Sequence, residues 1–172
     1  MAEKVTINVF SLSSIQNAKK RLMNRADKSG VKSVEELTRI GYEYMLSVVR
    51  MDSGALVSSV TWDYDPKNDV GHIRVGAKYA LFVEYGTGVR GAASPHPEPI
   101  PGWVYDINHH GEAGWWYPTT ESDPNPTKKQ LEDGQWIAHT KGQAANAFVF
   151  RTKEFMKSHA GNGMNVRMVA DG

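Results

Sequence analysis

The sequence contains no cysteine. Disulfides and thiolate metal sites are therefore excluded, which fits a reducing compartment or an assembly that does not depend on redox state. No apolar run approaches the roughly 20 residues that span a bilayer. The opening MAEKVTINVF has no basic stretch followed by an apolar one, so secretion by a signal peptide is not expected. Charge of one sign is lacking as well: 20 basic and 19 acidic residues leave a formal charge of +1. That balance gives no overall electrostatic drive toward nucleic acid. Motifs that carry chemistry are equally scarce. The chain has no G-x-S-x-G elbow for a nucleophilic serine, no Walker-type phosphate loop and no H-E-x-x-H pair. No catalytic residue, cofactor or metal is expected.

What is there begins with length. A chain of 172 residues suffices for one domain that buries roughly 70% of its unfolded surface, and two full domains are not expected. Val5, Ile7 and Val9 alternate with polar residues, which predicts a first strand. Ile15, Ala18, Leu22 and Ala26 recur at helical spacing after the capping serines 11, 13 and 14, with Lys19, Lys20, Arg21 and Arg25 on the other face. That basic face lacks the interleaved aromatics of a single-strand nucleic-acid site. Ser33 followed by Glu36 is a capping box, and Val34, Leu37, Ile40, Tyr44, Met45 and Val48 form one stripe, which predicts a helix over about 33–50. Gly54 stands where a regular segment turns. Val60, Trp62 and Tyr64 alternate with Thr61 and Asp63, and 65–69 is rich in turn formers, so 60–64 and 70–75 are expected to pair as a hairpin.

The chain is organised around Ile73–Gly88, IRVGAKYALFVEYGTG. It opens as a strand and, after Gly76, enters an apolar and aromatic segment of strand-like character in which Glu84 is the one formal charge. A lone buried carboxylate is costly, so Glu84 must face solvent or find a partner. Gly86, Gly88 and Gly91 spell G-x-G-x-x-G, the dinucleotide fingerprint by letter. Pro95, Pro97, Pro99 and Pro101 follow, so no helix is expected to open there and the fingerprint lacks its physical context.

From about Gly86 to Gln143 glycine and proline are dense, and Trp103, Trp115, Trp116 and Trp136 account for four of the five tryptophans. A disordered linker would be poor in aromatics. This stretch is therefore an aromatic-rich insertion, whose tryptophans either form a contact surface or fill a satellite core of their own. His109, His110 and Glu112 lie close enough in sequence to suggest a metal, although adjacent histidines in a strand point to opposite sides. Ala144–Met156 is expected to be a helix, and 164–169 a final strand, a tail or an arm that pairs with a neighbour. Two helices, a hairpin and a terminal helix give an α+β fold: an antiparallel sheet packed with two N-terminal helices and one C-terminal helix. The expected organisation is a single domain, with a core of about 1–88 and 144–160 and a loop insertion of about 86–143.

Four stretches taken together carry a resemblance: DSGALVSSV at 52–60, IRVG at 73–76, YALFVEYGT at 79–87, and AFVF at 147–150 before the last helix. In this order they resemble the neck, or head-to-tail joining, proteins of long-tailed bacteriophages. That family carries a T-G-x-L-x-x-S-I turn, a V-G strand, a Y-A-x-x-V-E-x-G-T segment and a P-F-L-type helix start. Ser53 stands where threonine is usual and Ala147 where proline is usual. The resemblance implies a structural virion protein in a homo-oligomeric ring between the capsid portal complex and the tail, with DNA passing through the lumen. Its partners would be head-closure or adaptor proteins, tail-terminator proteins and copies of itself, with non-specific DNA contact and no membrane. Its location would be the virion, and the host cytoplasm during assembly. Phe82, Glu84, Tyr85, Trp103, Trp115 and Trp116 are the expected interface residues, Glu84 as an edge carboxylate meeting a cation on the next subunit. The alternative is a metal-dependent hydrolase or ligand-binding domain whose loop closes over His109, His110 and Glu112.

Overall fold

Ser33 leaves the extended backbone with φ −137° and ψ 153°, and its hydroxyl accepts from the Glu36 amide at 3.1 Å. This cap opens α1, Val34–Val48, whose first turn also carries Glu35 and Glu36 against the positive end of the helix dipole. The computed structural model describes residues 31, 33–49 and 54–168. The expected strand at Val5–Val9 and the basic helix near Ile15–Ala26 lie outside them. After α1 come α2 (Ala55–Ser58), β1 (Val60–Asp65), β2 (Val70–Val75), α3 (Ala80–Tyr85), α4 (Gly88–Ala93), a short 3-10 turn (Gly111–Ala113), β3 (Trp115–Thr119), β4 (Lys129–Gln130), β5 (Trp136–Thr140) and α5 (Phe148–His159). The fold is mixed α+β, with one two-stranded and one three-stranded antiparallel sheet.

The chain divides into two compact units where the sequence suggests one domain with a loop insertion: residues up to Val75 together with Arg151 onward form the first, and Gly76–Phe150 the second. In the first unit β1 and β2 pair as expected, from Val60 opposite Val75 to Asp65 opposite Val70. The turn is held by the Asp65 carboxylate, which accepts from the Lys67 amide at 2.9 Å and from the Asn68 side chain at 2.6 Å. Its core is Val31, Leu37, Ile40 and Phe155, with Tyr44, Met156, Ala160, Met164 and Val166 packed around it. Tyr44 and Phe155 stack with centroids 4.1 Å apart. The Arg151 guanidinium donates to the Val48 carbonyl at 2.9 Å, placing a cation at the C-terminal end of α1. Residues 164–168 form no strand.

In the second unit the strand order is β3-β5-β4, so the aromatic-rich stretch builds a sheet of its own rather than an irregular loop. Trp116 faces His139 and Trp115 faces Thr140 in the register. The 120–128 connection is held by Asn125, whose amide donates to the His139 carbonyl at 3.0 Å and to the Tyr117 hydroxyl at 3.2 Å. The base of the stretch is closed by a two-way bridge. Thr87 N–H donates to the Gln143 carbonyl at 2.9 Å, and Gln143 N–H donates back to Thr87 at 3.0 Å.

Two expectations about the central segment are corrected here. Residues 80–85 are a helix, not a continuation of the strand. A second helix, α4, does form in the fingerprint: it opens at its second glycine, Gly88, contains the third, Gly91, and ends at Ala93, before Pro95 removes the next donor.

Candidate functional site

The centre of the second unit is Glu84. Helix α3 leaves Leu81 and Phe82 exposed and turns Val83, Glu84 and Tyr85 inward. Glu84 is 2% exposed, and its carboxylate is fully engaged inside the chain. Oε1 accepts from His96 Nε2 at 2.8 Å and from the Phe150 amide at 2.9 Å, while Oε2 accepts from the Val149 amide at 2.8 Å. Those two amides belong to the first turn of α5, where four N–H groups have no partner within the helix. Ala147, just before Phe148, has no side-chain acceptor, so a carboxylate from more than sixty residues away does the work of a local cap.

The backbone joins the same two segments. Asn146 N–H donates to the Val83 carbonyl at 2.9 Å, and Ala147 N–H donates to the Glu84 carbonyl at 3.0 Å. Ala147 has φ 51°, a left-handed conformation that proline cannot adopt, and its N–H is in use.

His96 reaches Glu84 from the proline-rich segment after α4. Its Nδ1 lies 2.9 Å from the Glu98 amide and 2.6 Å from the Glu98 carbonyl. A neutral ring accepts from the amide, a protonated ring donates to the carbonyl, and Nε2 donates to Glu84 in both states. The ring packs 4.3 Å from Tyr85 and edge-on to Phe150 at 5.4 Å. Tyr85 contacts Trp103 at 5.2 Å, and the Trp103 indole donates to the Gly86 carbonyl at 3.3 Å. Burial, and then the nearby Glu84 and Glu98 charges, hold the Tyr85 hydroxyl above its ordinary pKa.

The expected interface residues thus separate. Glu84 and Tyr85 are corrected: both are 2% exposed, and Glu84 is an internal capping and pairing group, not an edge charge. Phe82, 38% exposed, and Trp116, 48% exposed, lie on the surface. Trp103 and Trp115 are half-buried, the first against Phe82 and Tyr85, the second stacked on His110 at 4.7 Å. The tryptophans therefore divide between packing within the unit and exposed surface.

The three glycines of the fingerprint act by letting backbones approach. A Cβ on Gly86, at φ 83°, would lie 2.8 Å from the Ala145 nitrogen and the Gln143 oxygen, and one on Gly88 would lie 2.5 Å from the Lys141 oxygen. The close approach joins the two ends of the insertion, and a helix instead of a strand precedes it.

His109, His110 and Glu112 do not converge. The His110 amide donates to Asp106 Oδ1 at 2.9 Å and the Gly111 amide to Oδ2 at 2.7 Å, while His109, at φ 54°, and Glu112 are exposed. Those amide bonds, with the His110 side chain, hold the Asp106 carboxyl below its ordinary pKa. Among the described residues no three His, Asp or Glu side chains come together as a metal site. None of the described helices is long and apolar enough to cross a membrane.

The Glu84 node was missed by sequence reasoning, although two signals pointed to it. One is a lone carboxylate in an apolar segment; the other is a helix opening at Ala147-Phe148 without a Ser, Thr, Asp or Asn cap. No protein-family model, curated protein or solved structure matches the chain.

Proposed function

We propose that this chain is a structural virion protein of the phage neck, joining the capsid portal complex to the tail as one subunit of a ring with DNA passing through its lumen. The observation that carries the reading is the bond between Glu84 and the start of α5. YALFVEYGT and AFVF resemble two separate motifs of that family, and here the glutamate of the first caps the helix opened by the second. This supports treating the two motifs as parts of one device rather than as chance letters. The close of the insertion at Thr87 and Gln143 supports the same reading, because extra chain can be added between the motifs without disturbing the cap.

In this reading the protein is structural rather than catalytic. Exposed Phe82 and Trp116 are candidate contacts with head-closure, adaptor or tail-terminator proteins or with further copies of the chain. No observation favours the hydrolase alternative, whose His109, His110 and Glu112 stand apart. The test is mass spectrometry of purified particles, combined with electron microscopy of particles carrying a tagged copy. The expected result is the chain in tailed particles with label at the portal-tail junction. Its absence from particles, or label confined to another part of the virion, overturns the reading.

A further inference from the structure

An asparagine side chain is open to attack by the amide nitrogen of the next residue when that nitrogen is free and uncrowded. Six asparagines lie among the described residues, and five of them are guarded. The Asn68 side chain donates to Asp65 at 2.6 Å. Asn125 precedes Pro126, which has no N–H, and its own amide donates to Tyr117 and to the His139 carbonyl. The nitrogens after Asn108 and Asn146 are in use, since His109 N–H donates to the Asp106 carbonyl at 3.2 Å and Ala147 N–H to the Glu84 carbonyl at 3.0 Å. Asn165 precedes Val166, whose branched side chain crowds the nitrogen. Asn162 has none of these guards.

Asn162 is exposed and is followed by Gly163. Met164 N–H donates to the Gly161 carbonyl at 3.2 Å, so Asn162 and Gly163 are the central residues of a tight turn, in which Gly163 takes φ 85°. Nothing lies within 4 Å of where a Cβ on Gly163 would stand. Among the described residues neither the Asn162 side chain nor the Gly163 amide has a hydrogen-bond partner. The turn is pinned on both sides. Ala160 before it and Met164 after it pack on the core of Val31, Leu37, Ile40 and Phe155, and a Cβ on Gly161 would lie 3.0 Å from the Val31 carbonyl oxygen.

We propose that Asn162–Gly163 is a site of spontaneous backbone modification, coupled to the packing of the residues that follow it. The Gly163 nitrogen bonds to Asn162 Cγ, the Cγ–Nδ2 bond breaks, and ammonia leaves with the proton that Gly163 gives up, which closes a succinimide ring. Water then opens the ring. Opening at Cγ leaves an aspartate in an unaltered chain. Opening at the main-chain carbonyl carbon leaves an isoaspartate, whose backbone runs through Cβ and Cγ and is one methylene longer. Both products add one negative charge, but only the isoaspartate moves Met164 relative to Ala160. Since both residues pack on one core, the longer turn loosens that packing. This site is independent of the neck reading.

The test ages the folded full-length chain in warm, mildly alkaline buffer. Trypsin cutting after Lys157 and Arg167 releases 158–167, which carries Asn162 and Asn165 in one peptide, so fragmentation by mass spectrometry compares the two directly. The expected result is loss of the amide at 162 with retention at 165, labelling of the aged chain by an isoaspartyl methyltransferase, and hydroxylamine cleavage between 162 and 163. Asn162→Gln, whose longer side chain closes the ring far more slowly, is expected to lose the labelling and the cleavage. The aged chain is expected to melt a few degrees below the fresh one, whereas Asn162→Asp, which adds the charge without the methylene, melts like the fresh chain. An aged chain that keeps the Asn162 amide, or loses that of Asn165 as fast, overturns the site. Isoaspartate at 162 with unchanged melting, or an Asn162→Asp variant that melts as low as the aged chain, overturns the coupling to the core.

Discussion

Glu84 and His96 form a hydrogen-bonded contact of 2.8 Å from which water is excluded, with side-chain exposures of 2% and 0%. The same carboxylate accepts from the Val149 and Phe150 amides, so one side chain ties α3, the proline-rich segment and the first turn of α5 together. Removing it takes the acceptor from buried His96 Nε2 and from the Val149 and Phe150 amides. Glu84→Ala is expected to cost about 3–5 kcal/mol, the range for breaking a buried pair, and His96→Gln less, because the helix amides keep their acceptor. Urea denaturation of the full chain checks this; a loss under about 1 kcal/mol for Glu84→Ala would mean that the carboxylate is dispensable.

Gly54 and Gly86 both have positive φ, 73° and 83°, but differ in their surroundings. Nothing lies within 4 Å of a Cβ on Gly54, whereas one on Gly86 meets backbone atoms at 2.8 Å. Gly54→Ala should therefore cost about 1 kcal/mol of conformational strain. Gly86→Ala should cost clearly more, since backbone must shift as well. Equal melting temperatures for the two variants would contradict this.

Ala147 offers a test of opposite signs. With φ 51° and its N–H donated to Glu84, Ala147→Gly should be neutral or stabilising by up to about 1 kcal/mol. Ala147→Pro should cost about 3 kcal/mol or more, since proline has neither the angle nor the donor. A more stable Ala147→Pro variant would contradict this.

Stability should fall in alkali. The Tyr85 pKa is raised above 10.0 by burial and by Glu84 and Glu98, and that of Tyr64 is raised by its bond to Asp69. In both cases the fold favours the neutral phenol. The contribution is fully present below the unfolded value and is lost as pH rises through the folded value, because the unfolded chain binds fewer protons above about pH 10. The melting temperature should therefore decline above that point, less steeply in Tyr85→Phe, and ultraviolet titration should show a late-ionising tyrosine. A flat profile to higher pH would contradict the assignment.

At the acid end Asp106 and Asp123 act in the opposite direction. The Gly111 and His110 amides lower the first, and the Thr119 hydroxyl and Asn125 amide the second, both below 3.8. Their contributions are present above that value and disappear as pH falls through the folded value. Protection of the 105–125 amides, taken relative to their intrinsic exchange rates, should therefore fall below about pH 4. Protection there that stays unchanged down to pH 2 would argue against it.

Sequence by itself determined the parts whose signals are local. Helix α1 was legible because Ser33 and Glu36 lie one turn apart and its apolar stripe recurs at helical spacing. The β1–β2 hairpin was legible because Val60, Trp62 and Tyr64 alternate up to a turn built by Asp65 and Asn68. The ends of the insertion near 86 and 143 were marked by composition, and Thr87 and Gln143 do pair there. Tertiary structure decided the rest. Residues 79–85 are apolar at most positions, so neither period stands out, and 80–85 form a helix in which Val83, Glu84 and Tyr85 turn inward together. In β3, Trp115 beside Trp116 hides the alternation of a strand, because an aromatic ring is useful both when packed on His110 and when exposed. The start of α5 moved from Ala144 to Phe148 because its cap is not local: the acceptor its amides need stands on α3, and no window along the sequence contains both.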